Sequence, residues 1–148
     1  MTRMTVALAA DHAGFALKAH LVDWLSRRGI ATADLGTDSE DAVDYPDFAG
    51  AVVDVLRNGD AACGVLICGS GIGMSIAANR HRGIRAALVF DADAAGLARR
   101  HNDANILVLP GRRMSENEAE ACVEAFLAAA FEGGRHGRRL DKIAAGVA

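Results

Sequence analysis

The run Val65-Leu66-Ile67-Cys68, followed by Gly69-Ser70-Gly71-Ile72-Gly73, constrains this chain more than any other stretch. A short aliphatic segment of this kind reads as a buried strand, and it ends on a thiol. Three glycines at alternate positions follow, and Met74-Ser75-Ile76-Ala77-Ala78-Asn79 then reads as a helix. Glycines permit backbone conformations closed to residues with a Cβ, and they let a ligand approach the main chain closely. The following helix points its N-terminal amides and the positive end of its dipole at the same place, which favours an anion. A strand therefore delivers one thiol to the rim of a sheet, beside an anion cradle. That combination suggests a catalytic site.

The rest of the chain repeats the strand–loop–helix rhythm. Thr5 to Ala10 reads as a first strand, ending at Asp11-His12-Ala13-Gly14. Phe15, Leu17, Leu21, Val22 and Leu25 recur at helical spacing, with Gly29 as a C-terminal stop. Ile30 to Leu35 is a less apolar strand suited to a sheet edge, and Gly36 to Asp44 a polar loop. Tyr45-Pro46 opens a helix that runs to Asn58-Gly59. After the strand at 64–68 and the helix at 72–80 come a strand at 85–90 and a helix at 91–100. A fifth strand spans 105–109, stopped by Pro110-Gly111. Ser115-Glu116-Asn117-Glu118 is a capping-box pattern ahead of a helix over Ala119 to Phe131. Gly133-Gly134 breaks the chain before a basic tail and a small apolar end. This alternation predicts α/β architecture: a five-stranded parallel sheet with helices on both faces, in one domain over residues 1–148, without internal repeat or linker. Ligands in such sheets bind outside the carboxyl ends of the strands, where strand order reverses.

Bulk properties exclude several classes. The 148 residues are 51% hydrophobic and 24% charged, an ordinary globular balance. No apolar run reaches the length of about 20 residues that a membrane span needs, and Met1-Thr2-Arg3 leads straight into a strand without a signal peptide. A net charge of −3 and 5% aromatics argue against a nucleic-acid surface. Cys63, Cys68 and Cys122 are an odd number without paired spacing, so neither a disulfide framework nor a zinc site is expected. The expectation is a reduced, cytoplasmic protein.

Each chemical feature has a plain reading beside the functional one. Cys68 alone could be a small hydrophobe ending a core strand, yet a helix N-terminus lowers a thiol pKa from its ordinary value of about 8.5. Gly-x-Gly before a helix resembles a dinucleotide fingerprint with Asp91 as the distant acid, but Met74 stands where the third glycine should fall. His12 and His101 sit at or near element ends, and His101 precedes the polar cluster Asn102-Asp103-Ala104-Asn105. Histidine near neutrality moves a proton in either direction. Arg135 and Arg139 share one face if the tail is helical, with Arg138 and Lys142 nearby; guanidinium forks suit phosphate oxygens, and Arg112 could join them.

Taken together, Asp11-His12-Ala-Gly-Phe, Asp44-Tyr45-Pro46, Cys68-Gly-Ser-Gly-Ile-Gly73, His101-Asn102-Asp103-Ala-Asn105 and Gly133-Gly134-Arg135-His136 resemble the type B ribose-5-phosphate isomerase family, over nearly the whole chain. That family includes allose- and galactose-6-phosphate isomerases. The resemblance implies a Rossmann-like three-layer fold, no cofactor and no metal. It also implies a dimer or tetramer with active sites at the subunit interface, the helix from about residue 134 packing on the partner. Cys68 would move the proton between C2 and C1 through an enediolate. The backbone at Gly69, Gly71, Ile72 and Gly73, with the Ser70 hydroxyl, would hold the enediolate oxygen. His101 would open the sugar ring. Asp11 and Asn102 would hold sugar hydroxyls, and Tyr45 would line the pocket. His12, Arg112, Arg135 and Arg139 would bind the phosphate.

One branch of the family uses a loop glutamate as base; Met74 stands there, leaving Cys68. Ser70 replaces the threonine of many members, which bears on sugar preference. Ribose 5-phosphate is the simplest substrate implied, with erythrulose 4-phosphate, allose 6-phosphate and galactose 6-phosphate as alternatives. A nicotinamide-dependent oxidoreductase lacks the third glycine, and a receiver-like module would want an aspartate where Cys68 stands.

Overall fold

The computed structural model describes residues 4–146; Met1 to Arg3, read above as a lead-in, and the last two residues of the apolar end lie outside the described residues. Five strands, β1 (Thr5–Ala10), β2 (Ala31–Asp34), β3 (Cys63–Cys68), β4 (Ala86–Leu88) and β5 (Ile106–Pro110), form one sheet in the order β2-β1-β3-β5-β4. All four pairings are parallel. The helices are α1 (Phe15–Arg27), α2 (Tyr45–Arg57), α3 (Ile72–Asn79), α4 (Ala92–Asn102), α5 (Glu116–Ala128) and α6 (Arg135–Ala145).

Apart from Thr5 at the start of β1, the three central strands carry no polar side chain but the thiols of Cys63 and Cys68, because both their faces are covered. Val6, Leu8 and Ala10 of β1, Val65 and Ile67 of β3, and Leu107 and Leu109 of β5 meet α1, α4 and α5 through Leu21, Leu25, Ala95, Ala98, Val123 and Phe126. The alternate residues Ala7, Ala9, Leu66, Ile106 and Val108 meet α2 and α3 through Val52, Val53, Met74 and Ala78. The result is three layers, with each fully buried Leu, Ile or Val side chain contributing roughly 1.5–3 kcal/mol. Small residues set the spacing. A Cβ on Gly64 would lie 2.5 Å from Val52 Cγ1, so glycine lets α2 settle against β3. Lys18 of α1 is 2% exposed and pairs with Asp34 at the end of β2 at 2.5 Å, tying helix to edge strand. No helix among the described residues is long and apolar enough to cross a membrane.

Several boundaries differ from the sequence reading. The Ser115 capping box forms, with reciprocal bonds to Glu118, but α5 starts at Glu116 and ends at Ala128, short of Phe131. β4 shrinks to three residues because side chains take its first amides: Asn105 accepts from Arg85 N–H and Asn79 from Ala86 N–H, both at 2.8 Å. Asp91 caps α4 by accepting from Ala94 N–H at 2.8 Å. α4 then runs through His101 and Asn102, past the end at residue 100 read above. β4 forms the outer edge of the sheet, beyond β5. Asp91 therefore stands two strands from the glycine loop, on the outer edge, where it cannot complete a dinucleotide site.

Candidate active site

β1 and β3 are neighbours, yet the chain leaves β1 toward one edge of the sheet and β3 toward the other. A crevice opens between two strand ends that part in this way. The crevice here is a cavity of about 480 Å³ lined by Asp11, His12, Tyr45, Cys68, Gly69, Ser70, Ile72, Gly73 and Arg112. Ala13 and Ile76, which the sequence reading did not single out, complete it.

Each group is held by its neighbours. Asp11 is 6% exposed, and its Oδ1 accepts from the amides of Ala13 (3.0 Å) and Gly14 (3.2 Å), which fixes the carboxylate at the end of β1. His12 Nδ1 accepts from Val43 N–H at 3.2 Å, so a neutral ring carries its proton on Nε2, free for a ligand. Cys68 is the last residue of β3, 4% exposed, with its carbonyl accepting from Gly111 N–H at 2.8 Å. Burial raises Cys63 and Cys122 to pKa values of about 11, which keeps those two thiols protonated near neutrality.

The glycines have specific causes. Gly71 takes φ +78°, the left-handed turn into α3, where a Cβ would meet the Leu88 side chain. A Cβ on Gly73 would lie 2.5 Å from Tyr45 Cζ, so the phenol ring rests on bare backbone. A Cβ on Gly69 would lie 3.2 Å from Arg112 Nη1, so the guanidinium sits over that peptide. Ser70 Oγ accepts from Ile72 N–H at 3.1 Å, leaving the hydroxyl proton to donate elsewhere. Ser75 N–H is bonded to Gly71 O within the helix, whereas the first-turn amides before it have no acceptor within α3. One thiol, an amide-lined loop, a hydroxyl and a guanidinium thus converge on one space. The arrangement suits a proton transfer that leaves negative charge on oxygen.

His101, Asn102, Arg135 and Arg139 are not in that cavity. Because α4 runs antiparallel to the strands, its last turn lies where β5 begins, while Cys68 pairs with Pro110 where β5 ends. The length of β5 separates them, on the order of 13 Å along the strand. There His101 stacks on His136 with ring centroids 4.3 Å apart. Glu132 N–H donates to Arg100 O at 3.0 Å and brings the start of α6 onto α4. Burial, then the charges of Arg135 and His101, lower the pKa of His136. The tail is helical, so Arg135 and Arg139 do lie one turn apart. One copy of the chain therefore carries two groups of candidate site residues, at opposite ends of its sheet. Glu132 and His136 beside His101 were missed as chemistry. The Gly133-Gly134 break folds them back onto α4, and that long-range turn has no periodic signature.

Comparison with known proteins places the chain in a family. The sequence matches the Ribose/Galactose Isomerase family over residues 6–143. It is 42% identical over 140 residues to ribose-5-phosphate isomerase B of Escherichia coli, covering 95% of this chain and 94% of that one. Among solved structures it resembles a ribose 5-phosphate isomerase of Thermotoga maritima, with TM-score 0.95 and 51% identity over 97% of this chain and 99% of the other. It also resembles ribose-5-phosphate isomerase B of Mycoplasma genitalium with bound ribulose-5-phosphate, with TM-score 0.92 and 44% identity over 98% and 97% of the two chains. The chain belongs to the ribose/galactose isomerase family, enzymes that interconvert aldose and ketose sugar phosphates.

Proposed function

We propose that the chain interconverts ribose 5-phosphate and ribulose 5-phosphate, with Cys68 as the base and His101 of a second copy opening the sugar ring. The observation that carries this reading is the cavity at the β1–β3 crevice, where Cys68 meets the glycine loop, Asp11, Tyr45, His12 and Arg112. In the open-chain aldose the Cys68 thiolate takes the C2 proton. The electron pair forms the C1–C2 double bond, and the carbonyl oxygen becomes the enediolate oxygen. The amides from Gly69 to Gly73 and the Ser70 hydroxyl stabilise that charge, and one such donor typically contributes about 10² to 10³ in rate. The thiol then returns the proton to C1 while the O2 hydroxyl proton passes to O1, leaving the ketone at C2. Asp11 holds a sugar hydroxyl.

The second group of residues fits the same reaction from a partner. A two-fold dimer repeats each contact twice. Docking one copy's α4–α6 end on the other's crevice would bring His101 and Asn102 to the sugar, and Arg135 and Arg139 to a phosphate already facing His12 and Arg112. Exposed apolar side chains support such a contact: Ile72 (56% exposed) and Ile76 (59%) line the crevice, Phe90 (58%) lines an adjoining pocket with Ile72, and Ile143 (55%) stands on α6. The ribose assignment rests on the named relatives; erythrulose 4-phosphate, allose 6-phosphate and galactose 6-phosphate would meet the same groups. Three free thiols fit the reducing cytoplasm.

A coupled assay over these four substrates, without added metal or nucleotide, tests the reading. Ribose 5-phosphate is expected to turn over fastest. Cys68→Ala is expected to lose about 10³-fold or more in kcat while still binding sugar phosphate. Retained turnover in that variant would remove Cys68 as the base.

A further inference from the structure

His101, Glu132 and His136 come from three pieces of chain: the last turn of α4, the link after α5 and the first turn of α6. The stack of the two imidazoles turns both Nε2 atoms toward one carboxylate oxygen. Glu132 Oε1 lies 3.7 Å from His101 Nε2 and 3.9 Å from His136 Nε2. Both separations exceed hydrogen-bond length. The His136 side chain is 7% exposed, and its Nε2 has no hydrogen-bond partner among the described residues. A buried ring nitrogen is thus aimed into a gap that its two neighbours also face.

We propose that these three side chains form a site for a divalent transition metal of the Zn²⁺ class, and that metal bound there inhibits the isomerase. Two imidazoles and a carboxylate are a common zinc ligand set, with the fourth position open. Tetrahedral bonds of about 2.0–2.2 Å place donor atoms about 3.4 Å apart. Here the donor atoms of all three lie within 4.8 Å of one another. Closing the difference takes small movements of His101 (37% exposed) and Glu132 (50% exposed), while buried His136 stays as the anchor. A pocket built for phosphate alone would not put a carboxylate between the imidazoles, where it repels the anion. Arg100, whose Nε is 4.0 Å from Glu132, and Arg135 and Arg139 oppose a cation and weaken its binding. Inhibition follows because the metal occupies His101 Nε2 and with it the proton that opens the sugar ring. That half of the proposal rests on the role given to His101 above; the binding half does not.

The test is titration of chelator-treated protein with Zn²⁺ by calorimetry and with Co²⁺ by visible absorption. One ion per chain is expected, with a tetrahedral cobalt band and without a thiolate charge-transfer band. Glu132→Gln and His136→Ala should each weaken binding about tenfold or more, while Cys68→Ala binds as wild type does. Turnover should fall in step with occupancy and return with chelator. If His136→Ala does not fold, the near-isosteric Glu132→Gln decides. Absence of saturable uptake, or uptake unchanged in Glu132→Gln, would overturn the site. Uptake lost in Cys68→Ala would move it to the crevice and overturn it equally. Saturable binding without inhibition would uphold the site and contradict the role of His101.

Discussion

At Gly73 one methyl group is enough to disturb the site. A Cβ there would meet the Tyr45 ring at 2.5 Å, but that ring is 39% exposed and can swing outward. Gly71 differs, because its φ of +78° disfavours any side chain and its missing Cβ faces Leu88 inside the fold. The two substitutions should therefore separate stability from activity. Gly71→Ala is expected to cost about 1–3 kcal/mol in urea unfolding, and turnover with it. Gly73→Ala should cost less than about 1 kcal/mol and act mainly on KM, through the displaced phenol. Equal stability losses would contradict this division. At this scale the sequence was most legible. Cys68, Asp11, His12, Tyr45, Ser70 and Arg112 meet in the structure because each stands beside a strand or helix end that the alternation already located.

The elements themselves were readable where a cap or an apolar period marked them. Pro46 near the start of α2, the Ser115 capping box of α5 and the Leu17-Leu21-Leu25 stripe of α1 each fix an element locally. α4 was cut short because its last turn, Arg99-Arg100-His101-Asn102, has no apolar residue to carry the period. Strand order was hidden for a different reason. Whether β4 pairs with β3 or beyond β5 depends on contacts far apart in sequence, and the pattern within a strand does not encode its neighbour. The docking of α6 on α4 belongs to the same class, and His136 gives it a pH dependence. Its pKa is lowered in the folded protein, first by burial and then by nearby positive charge. The unfolded chain binds the proton near pH 6.5 whereas the native ring holds it off to lower pH. Stability from this group is therefore complete above that range and declines as pH falls through it. Urea midpoints at about pH 7.5 and about pH 5.5 should fall further on acidification for wild type than for His136→Gln. An identical fall in both would show that the imidazole does not contribute.

For the whole molecule, the consequence of the fold is a division of labour. The parallel sheet puts Cys68, the glycine loop and Arg112 at its carboxyl end, and the antiparallel run of α4 carries His101, Asn102 and the α6 arginines to the other. No rearrangement that keeps the sheet intact unites them within one copy, whereas the two-fold pair of chains proposed above would do so twice. The sequence motifs name both groups, but they do not say which end of the sheet each occupies.

Complementation between two inactive variants tests this account most directly. Cys68→Ala and His101→Ala would be purified separately, mixed, and allowed to exchange subunits through mild denaturation and refolding. If each site takes Cys68 from one copy and His101 from the other, every mixed dimer regains one intact site. With random pairing, turnover should recover to about a quarter of the wild-type value. If both residues served a site within one chain, no mixed dimer would hold an intact site. A mixture no more active than its parents, with exchange verified, would contradict the account.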